Sequence, residues 1–518
     1  GYSPGSASYS DLASNGEIII EIGGTSKGVT ADDGYDFINV GGAADLSGTL
    51  EIALWNEFVP TAGESFEIMS YTSVTGSFET INGLNFSDNG FFEYLQDDTG
   101  ITLTARSTAD LSDERTIGLG AGNDTRTLET FQAETNYTLL DLSDDNSRQI
   151  FGAANAPVIV DGGDGTDHIT LGNLDMGAAA LTVKAETISQ TAGTTLTSSA
   201  DITLDADDAV THDTASGDAN LINETIAASV NLAGTIDTTG ALTLSADAVA
   251  DFKLDSPDLS SGSPDVELTA KVDASVVIAD GASITAGSLD IDATADTQIV
   301  ATAETNAKLT DAFDVSVTQS AQAGINGAVL NVTGALDLDA RDELSIDADF
   351  TVDDTGLTGA LDTPDAAAFG LALNREARAW IGDDGSPAAT LGAGDVSVNA
   401  TVADDASLGG VDARIDSALV GAVETSVVES AYAGLRNAAA EVSALSIAAA
   451  TEAGYLAQGK IAEQSVSGDV SAILSDIDFT AAAGEVSVSA LDRNVMRATS
   501  TGLAPDLDAV GSIDLPAL

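Results

Sequence analysis

The sequence predicts an all-β protein, built mainly as a parallel β-solenoid or β-helix with right-handed winding, that begins with an aromatic-rich all-β segment. Three observations predict this class. Short runs of alternating apolar and polar residues recur at intervals of 40–60 residues over most of the chain. Gly, Asp, Asn and Ser separate these runs and are typical of short turns. Aromatic residues make up only 5% of the chain, which suits the thin interior of a solenoid better than a series of globular sandwich cores.

The opening segment, residues 1–107, differs from the rest in its aromatic content. It holds 13 of the 24 Phe, Tyr and Trp residues. Stretches such as GEIIIEIGG and ESFEIMSYTSVTGSFETI follow one another closely, with Gly, Pro and Asn-Gly between them. The pattern predicts an all-β module, β-helical in form, in which the aromatic side chains pack as a core. A platform of aromatic rings that binds a ligand is the alternative.

Two further regions follow the opening segment. Residues 108–176 are rich in Asp and Gly and are predicted to form bridging coils, and residues 177–518 are predicted to form a β-solenoid with a repeat of 40–60 residues. One phrase marks the repeat, an apolar–polar–apolar–polar–Ala pattern. It occurs as ALTVKA (180–185), DITLDA (201–206), ALTLSA (241–246), SLDIDA (288–293), ALDLDA (335–340), DVSVNA (395–400), ALSIAA (444–449) and EVSVSA (485–490).

Two stretches of the repetitive region are ambiguous between strand and helix. Residues 373–383 and 430–463 contain strong helix formers. The second stretch aligns with residues 321–340, and this similarity favours strands because one repeat unit should keep one fold.

The recurring phrase predicts an inner and an outer face for each strand. Alternation with a period of two directs successive side chains to opposite faces. Leu289, Ile291 and Ala293 are therefore expected inside, and Asp290 and Asp292 outside. The phrase ALDLDA repeats this arrangement. If the repeats stack in register, like carboxylates stand ~4.8 Å apart on neighbouring strands and repel each other. Stability should then increase with salt or Ca²⁺.

The composition excludes several functions. Lys and Arg number 17 against 83 Asp and Glu, for a formal net charge of -66. Such a chain lacks the clustered cations that bind nucleic acid or an anionic membrane surface. It has no Cys, and hence no disulfide or thiolate metal site. No run of ~18 apolar residues predicts a membrane span. Because the chain starts at Gly1 without Met or a signal peptide, we expect it to be an excised or processed part of something longer, with any export signal or anchor outside it.

Residues 162–170, GGDGTDHIT, carry the most specific motif. They resemble the Gly-rich nonapeptide of RTX Ca²⁺-binding β-rolls, in which glycines permit a tight turn and Asp supplies an anionic oxygen. The resemblance implies a Ca²⁺ site formed by Gly163, Asp164, Gly165 and Asp167. GLGAGND (118–124) is a partial copy and adds Asp124. An ordinary Gly/Asp turn is the alternative, because the chain contains only one full copy of the motif.

The sequence predicts no catalytic residues. It contains two widely separated histidines, His168 and His212, and no nucleophile elbow. Asp pairs are too frequent to indicate an acid–base site. The cluster of Arg375, Arg378 and Trp380 is expected to be a surface ion-pair patch on a turn, with contact to a sugar or a neighbouring subunit as the alternative.

The phrases AGSLDIDATAD, AGDVSVNATVADD and AGEVSVSALDRN resemble repeats of giant bacterial surface proteins of the filamentous haemagglutinin and large-adhesin type. The opening segment resembles a β-helical module found in such proteins. The resemblance implies export to the cell surface and a non-enzymatic structural or adhesive role as an extended stalk or fibre. Partners would be further copies or a continuation of the chain, cell-surface glycans, or the surface of a host or neighbouring cell. A cation-dependent surface-layer or matrix protein and a polysaccharide lyase or hydrolase are the alternatives.

Overall fold

A computed structural model describes twelve stretches of the chain, which consist of β-strands, turns and one 3₁₀ turn, Thr108–Leu111. No helix in these stretches is long and apolar enough to cross a membrane. The described residues are 5–28, 33–213, 221–256, 266–305, 313–353, 367–382, 389–414, 422–433, 436–444, 460–474, 477–479 and 485–501.

The strands of the first half are short. They are β1 Ser6–Tyr9, β2 Leu12–Ala13, β3 Glu17–Ile22, β4 Ser26–Lys27, β5 Gly34–Tyr35, β6 Phe37–Val40, β7 Ala43–Leu46, β8 Thr49–Leu54, β9 Ser65–Ser70, β10 Ser73–Gly76, β11 Thr80–Asn82, β12 Asn85–Ser87, β13 Gly90–Gln96, β14 Gly100–Ser107, β15 Arg115–Gly118, β16 Thr125–Ala133, β17 Thr138–Ser143, β18 Arg148–Ala153, β19 Val158–Asp161, β20 His168–Leu171, β21 Leu174–Asp175, β22 Leu181–Ala185, β23 Thr187–Gln190 and β24 Thr195–Ser198.

Many strands of the second half are much longer. They are β25 Ile202–Asp213, β26 Leu221–Leu232, β27 Thr235–Thr238, β28 Ala241–Ser256, β29 Val266–Ile278, β30 Ser283–Ala286, β31 Ser288–Thr305, β32 Phe313–Ile325, β33 Val329–Val332, β34 Leu336–Asp353, β35 Ala367–Ile381, β36 Ala389–Gly392, β37 Val396–Arg414, β38 Ala422–Ala433, β39 Arg436–Ala444, β40 Lys460–Leu474, β41 Ile477–Phe479 and β42 Val486–Thr501.

The chain forms two compact units. The first unit comprises Gly1–Leu204, Leu232–Leu242 and Ser283–Gly287, and the second comprises Asp205–Asn231, Thr243–Ala282 and Ser288–Leu518. The boundaries of these two units differ from those of the three regions that composition suggested, 1–107, 108–176 and 177–518. Those three regions remain a prediction.

The first unit begins with parallel pairing, and β1 pairs with β6, β2 with β7 and β3 with β8. Strand β6 pairs with β9, β7 with β10 and β8 with β11, all in parallel. Antiparallel pairing then takes over, and β12, β13 and β14 lie side by side. The aromatic core lies within this part. Phe66, Phe78, Phe91, Phe92 and Tyr94 are fully buried, and Phe66 contacts Tyr35 and Phe92 edge to face. For these rings the structure confirms the predicted core packing.

The rest of the first unit returns to parallel pairing. Strands β15, β19 and β22 lie in one sheet, β16, β20 and β23 in another, and β21, β24, β27 and β30 in a third. Successive strands therefore visit three sheets in turn. The antiparallel strands β17 and β18 are inserted between β16 and β19.

The second unit keeps the same order with longer strands. One sheet holds β31, β34, β37 and β42, another holds β29, β32, β35 and β40, and the third holds β33, β36 and β41. We call each set of three consecutive strands that visits the three sheets a three-strand repeat. The prediction of an all-β protein with long parallel sheets in a β-helix-like arrangement is confirmed.

Neighbouring repeats pair in register, so that like residues lie side by side. The two phrases SLDIDA and ALDLDA align without an offset, with the pairs Leu289 and Leu336, Asp290 and Asp337, Ile291 and Leu338, Asp292 and Asp339, and Ala293 and Ala340. The leucines, isoleucine and alanines are buried, and the four aspartates are on the more exposed face. The predicted inner and outer faces are therefore correct.

The two ambiguous stretches contain strands. Residues 373–381 belong to β35, residue 382 follows its end, and residue 383 lies outside the described residues. Within 430–463, the described residues belong to β38, β39 and β40, whereas 434–435 and 445–459 lie outside the described part. Strands β38 and β39 form an antiparallel hairpin, and β37 pairs directly with β42. The phrase at 444–449 falls almost entirely outside the described residues.

The two faces of β34 should respond very differently to truncation. Leu338→Ala removes a fully buried side chain from the thin interior and should lower the free energy of unfolding by about 2–5 kcal/mol. Ser345→Ala changes the outer face of the same strand and should alter it by less than ~0.5 kcal/mol. Urea unfolding measures both. Equal losses for the two variants would contradict the assigned faces.

Candidate functional site

The predicted Ca²⁺ motif lies in a turn that stacks on a second turn. Residues 162–167 connect β19 to β20, and the partial copy 118–124 connects β15 to β16. Ala121 and Asp164 form an isolated parallel bridge. The amide of Gly122 donates to the Asp164 carbonyl oxygen at 2.7 Å, and the Asp164 amide donates to the Gly120 carbonyl oxygen at 3.2 Å. The two motif copies are therefore direct neighbours, although Asp124 and Asp167 are 43 positions apart in the sequence.

Glycine is required at two positions of the turn formed by residues 162–167. Gly163 and Gly165 have φ of 94° and 147°, in the region that L-amino acids rarely adopt. A Cβ on Gly163 would lie 2.1 Å from the Gly120 carbonyl oxygen, and a Cβ on Gly165 would lie 2.1 Å from that of Gly122. Close stacking of the backbones is thus a sufficient reason for these glycines, with or without a cation.

The three aspartates of the motif have different surroundings. Asp164 is exposed. Asp124 forms an ion pair with Arg126 at 2.9 Å. Asp167 is only 1% exposed, and its Oδ1 accepts a hydrogen bond from the Asp124 amide at 2.7 Å. The structure therefore brings Asp124 and Asp167 together and leaves Asp164 on the surface.

Asp167 has features that set it apart from a simple turn residue. Its Oδ2 is buried and has no hydrogen-bond partner among the described residues. The amide of Asp167 donates to Oε2 of Glu186, whose side chain is also buried. Burial raises the pKa of Asp167, and the nearby Asp124 carboxylate adds to the shift. Sequence reasoning missed Glu186, because only the stacking of β22–β23 beside this turn places it there.

The geometry of the stacked turns only partly resembles a set of ligands for a hard cation. In the described residues, no group of three or more His, Asp or Glu side chains is arranged to hold a metal ion. Several turn oxygens already accept hydrogen bonds, for example Asn123 Oδ1 from the Thr166 amide at 3.0 Å. A Ca²⁺ ion here would need backbone carbonyl oxygens in addition to Asp167. Ca²⁺ binding by this turn stays a prediction.

A second charged feature is the row of carboxylates on the outer face of the second unit. Asp290, Asp292, Asp337 and Asp339 lie on the neighbouring strands β31 and β34, as the register requires. Burial raises the pKa of Asp292 to about 6, and the Asp339, Asp290 and Asp247 carboxylates add to the shift. The pKa values of Asp290 and Asp337 are raised too, by burial and then by neighbouring aspartates.

One arginine lies within this row. Arg341 forms ion pairs with Asp339 at 3.0 Å and with Asp292 at 3.4 Å. Its charge lowers the pKa of Asp292 and so opposes the effect of the surrounding carboxylates. We call Arg341 and the four aspartates 290, 292, 337 and 339 the acidic row.

The structure corrects the prediction for Arg375, Arg378 and Trp380. They lie in strand β35 rather than on a surface turn. Arg375 is 2% exposed and forms a buried ion pair with Asp342. Trp380 is 5% exposed, lies against Gly324 and donates from Nε1 to Asn326 Oδ1 at 2.9 Å, and Arg378 covers its ring at 4.5 Å. The indole ring is therefore enclosed by the protein itself.

A cleft of 690 Å³ lies in the first unit. Four connections meet there, and they contribute Asn89, Asn136 and Asn155 together with hydroxyl and apolar side chains. Its lining carries neutral amides and hydroxyls and no carboxylate, histidine or basic side chain. This cleft therefore does not present the paired carboxylates that sugar hydrolysis uses.

Comparison of the chain with known protein families, with curated proteins and with solved structures found no match in any of the three. The resemblance to bacterial surface adhesins and to RTX repeats therefore remains a prediction from the motifs alone.

The stacked turns generate a test with a matched pair of glycines. Gly163→Ala should lower the free energy of unfolding by about 2 kcal/mol, because the new Cβ meets a backbone oxygen at a positive φ. Gly118→Ala is the control, since a Cβ there meets no atom within 4 Å. Thermal unfolding measures both. A tolerated Gly163→Ala would show that the turns do not stack this closely.

The acidic row generates a prediction for pH and salt. A raised carboxyl pKa means that the folded state binds the proton more tightly than the unfolded chain does. This contribution to stability is present at low pH and is lost as the pH rises from about 4 through about 6. At low ionic strength the melting temperature should therefore be higher at pH 5 than at pH 7.5, and added salt should reduce the difference.

The variant Arg341→Gln tests the repulsion within the acidic row more directly. The substitution removes the only cation of the acidic row and should steepen the dependence of the melting temperature on both pH and salt. Lys253→Gln removes an exposed ion pair with Asp213 and serves as the control. A wild-type melting temperature that is equal in low and high salt at pH 7.5 would refute the repulsion.

Proposed function

We propose that this chain is a non-enzymatic structural or adhesive segment of a large extracellular bacterial surface protein. In this proposal its three parallel sheets wind as a right-handed β-solenoid and form an extended stalk or fibre. The observation that carries the proposal is the in-register stacking of successive three-strand repeats, with Leu289 beside Leu336 and Asp290 beside Asp337. Such a body grows by the addition of repeats, because each repeat contacts only its neighbours.

The outer charge of the chain supports the same proposal. A net charge of -66 keeps a long repetitive protein soluble, and it limits unspecific contact with other anionic surfaces. The cost of placing carboxylates side by side falls in a medium of high ionic strength, where charges are screened. An extracellular location at the cell surface is consistent with this pattern.

An exposed strand edge supports contact with a further repeat. Strand β42 is the last strand in the order of its sheet. Val486 and Val488 are 42% and 39% exposed, whereas their register partners Val396 and Val398 on β37 are fully buried. Apolar side chains at inward positions, and an edge without a partner strand among the described residues, suit the addition of another repeat. The partner is accordingly a continuation of the chain or a second copy, and cell-surface glycans are a further candidate.

Imaging and light scattering test the proposal together. Electron microscopy of the purified chain should show elongated particles, and light scattering should show association that increases with concentration. Val486→Glu with Val488→Glu should abolish this association, while Val329→Glu, at another exposed valine, should leave it unchanged. Compact particles would overturn the stalk or fibre. A monomer that is insensitive to dilution would overturn self-association.

A cation-dependent surface-layer or matrix protein is the second candidate. The acidic row and the buried Oδ2 of Asp167, which has no hydrogen-bond partner within the described part of the chain, favour it. Isothermal titration should then detect Ca²⁺ uptake that Asp167→Asn reduces, and images should show sheets that a chelator disperses. No heat and an unchanged melting temperature with chelator would dispose of this candidate. Activity on acidic or neutral polysaccharides would instead favour the third candidate, a carbohydrate-active enzyme.

A further inference from the structure

The described inward positions of strands β32, β34 and β35 contain one polar layer between apolar residues. On β32 and β35 these described positions are occupied by Val, Leu, Ile and Ala, except for Gln319 and Arg375. The inward positions of β34 are likewise apolar from Leu336 to Ile346, except for Asp342. Gln319 and Arg375 are direct register partners. The polar side chains therefore coincide in one layer and are not scattered along the strands.

The centre of the layer is an ion pair between two different sheets. Asp342 is 0% exposed and Arg375 is 2% exposed. Arg375 Nε donates to Asp342 Oδ1 at 3.0 Å, and Arg375 Nη2 donates both to that carboxylate and, at 2.9 Å, to the backbone oxygen of Asp342. The pair therefore ties β35 of one sheet to β34 of the facing sheet at one position along the strands.

Gln319 extends the layer to a third and a fourth strand. Its Nε2 donates to the backbone oxygen of Ala295 on β31 at 2.6 Å and to that of Glu343 on β34 at 2.8 Å. Ala295 is the register partner of Asp342. The side-chain oxygens of Gln319 and of the buried Thr297 have no hydrogen-bond partner among the described residues. Such unpaired buried oxygens reduce stability.

The apolar part of the interior specifies register only weakly. A slip of one residue would turn the apolar face outward, but a slip of two residues keeps every side chain on its own face. After such a slip of β35, its inward Leu, Ala and Ile side chains would still meet apolar side chains, except at the positions of the polar layer. Arg375 would instead face the apolar neighbours of Asp342, and both charges would be buried without a partner. An unpaired buried charge is strongly unfavourable.

We propose that the Asp342–Arg375–Gln319 layer is a register pin that holds β32, β34 and β35 in one alignment out of several that the apolar pattern permits. This role also explains why the layer is polar at all. A well-packed apolar replacement of a buried ion pair is often as stable as the pair or more so, so stability alone does not account for it. The pin selects one structure and adds little to the free energy of unfolding.

Paired substitutions separate selection of register from stabilisation. Asp342→Leu and Arg375→Met, made singly, should each lower the melting temperature markedly, because each leaves a buried group unpaired. The double variant should recover the wild-type melting temperature or exceed it. A control with Ile346→Leu and Leu373→Ile changes neighbouring inward positions but keeps them apolar and similar in volume.

Cysteine pairs report the register, since the chain has no cysteine of its own. Thr318→Cys with Asn374→Cys reports the native alignment of β32 and β35, in which the two residues are partners. Thr318→Cys with Glu376→Cys and Ser320→Cys with Asn374→Cys report slips of two residues in opposite directions. Native partners are ~4.8 Å apart, within reach of a disulfide, and slipped partners are ~8 Å apart, beyond it.

The proposal predicts a specific pattern of cross-links. With the polar layer intact and in the apolar control, only the native pair should oxidise. In the double variant, disulfide formation by the slipped pairs should rise at least tenfold. Native cross-links alone in the double variant would overturn the proposal. So would a double variant as unstable as either single variant, because the ion pair would then act as a stabiliser and not as a pin.

Discussion

In-register parallel pairing is the constraint on which the second unit depends. Each long strand lies beside the equivalent strand of the next three-strand repeat, so that residues at matching positions of the recurring phrase are brought side by side. On the inner face this repetition is favourable, because Leu289 and Leu336 or Ile291 and Leu338 form continuous apolar ladders that exclude water. On the outer face the same repetition brings carboxylates together, and repulsion between them follows directly.

The electrostatic features of this unit are consequences of that pairing. Raised pKa values occur at Asp290, Asp292 and Asp337, where burial and like charges act together. Arg341 offsets part of the repulsion from within the row. The next repeat also reduces the repulsion between carboxylates, since Ser397 and Asn399 occupy the positions beside Asp337 and Asp339. The two acidic repeats are thus followed by repeats with neutral residues at these positions, and the repulsion does not extend further along the stack.

Much of this arrangement could be predicted from the sequence, because alternation with a period of two identifies the inner and outer face of a strand. Leu289, Asp290 and their repeats lie as predicted, whereas the sequence left strand and helix open for residues 373–383, of which 373–381 belong to strand β35. Asp342 and Arg375 could have been recognised as buried from the same parity, since each falls on the inward positions of its strand. The contact between Asp342 and Arg375 could not be predicted in this way, because it joins two facing sheets. The hairpin β38–β39 was equally inaccessible, since similarity between repeats does not reveal which strands pair.

The stacked turns at 118–124 and 162–167 could likewise be predicted only in part from the sequence. The positive φ values of Gly163 and Gly165 agree with the motif, and the neighbouring position of Asp124 agrees with its partial copy. Glu186 enters the site only through the stacking of a third segment. The most direct test of the account is the distance between spin labels on cysteines at 290 and 337 in the cysteine-free chain. In-register pairing predicts strong dipolar broadening for this pair and little for labels at 290 and 345, about 26 Å further along the strand. Absence of broadening between 290 and 337 would contradict the parallel in-register stack.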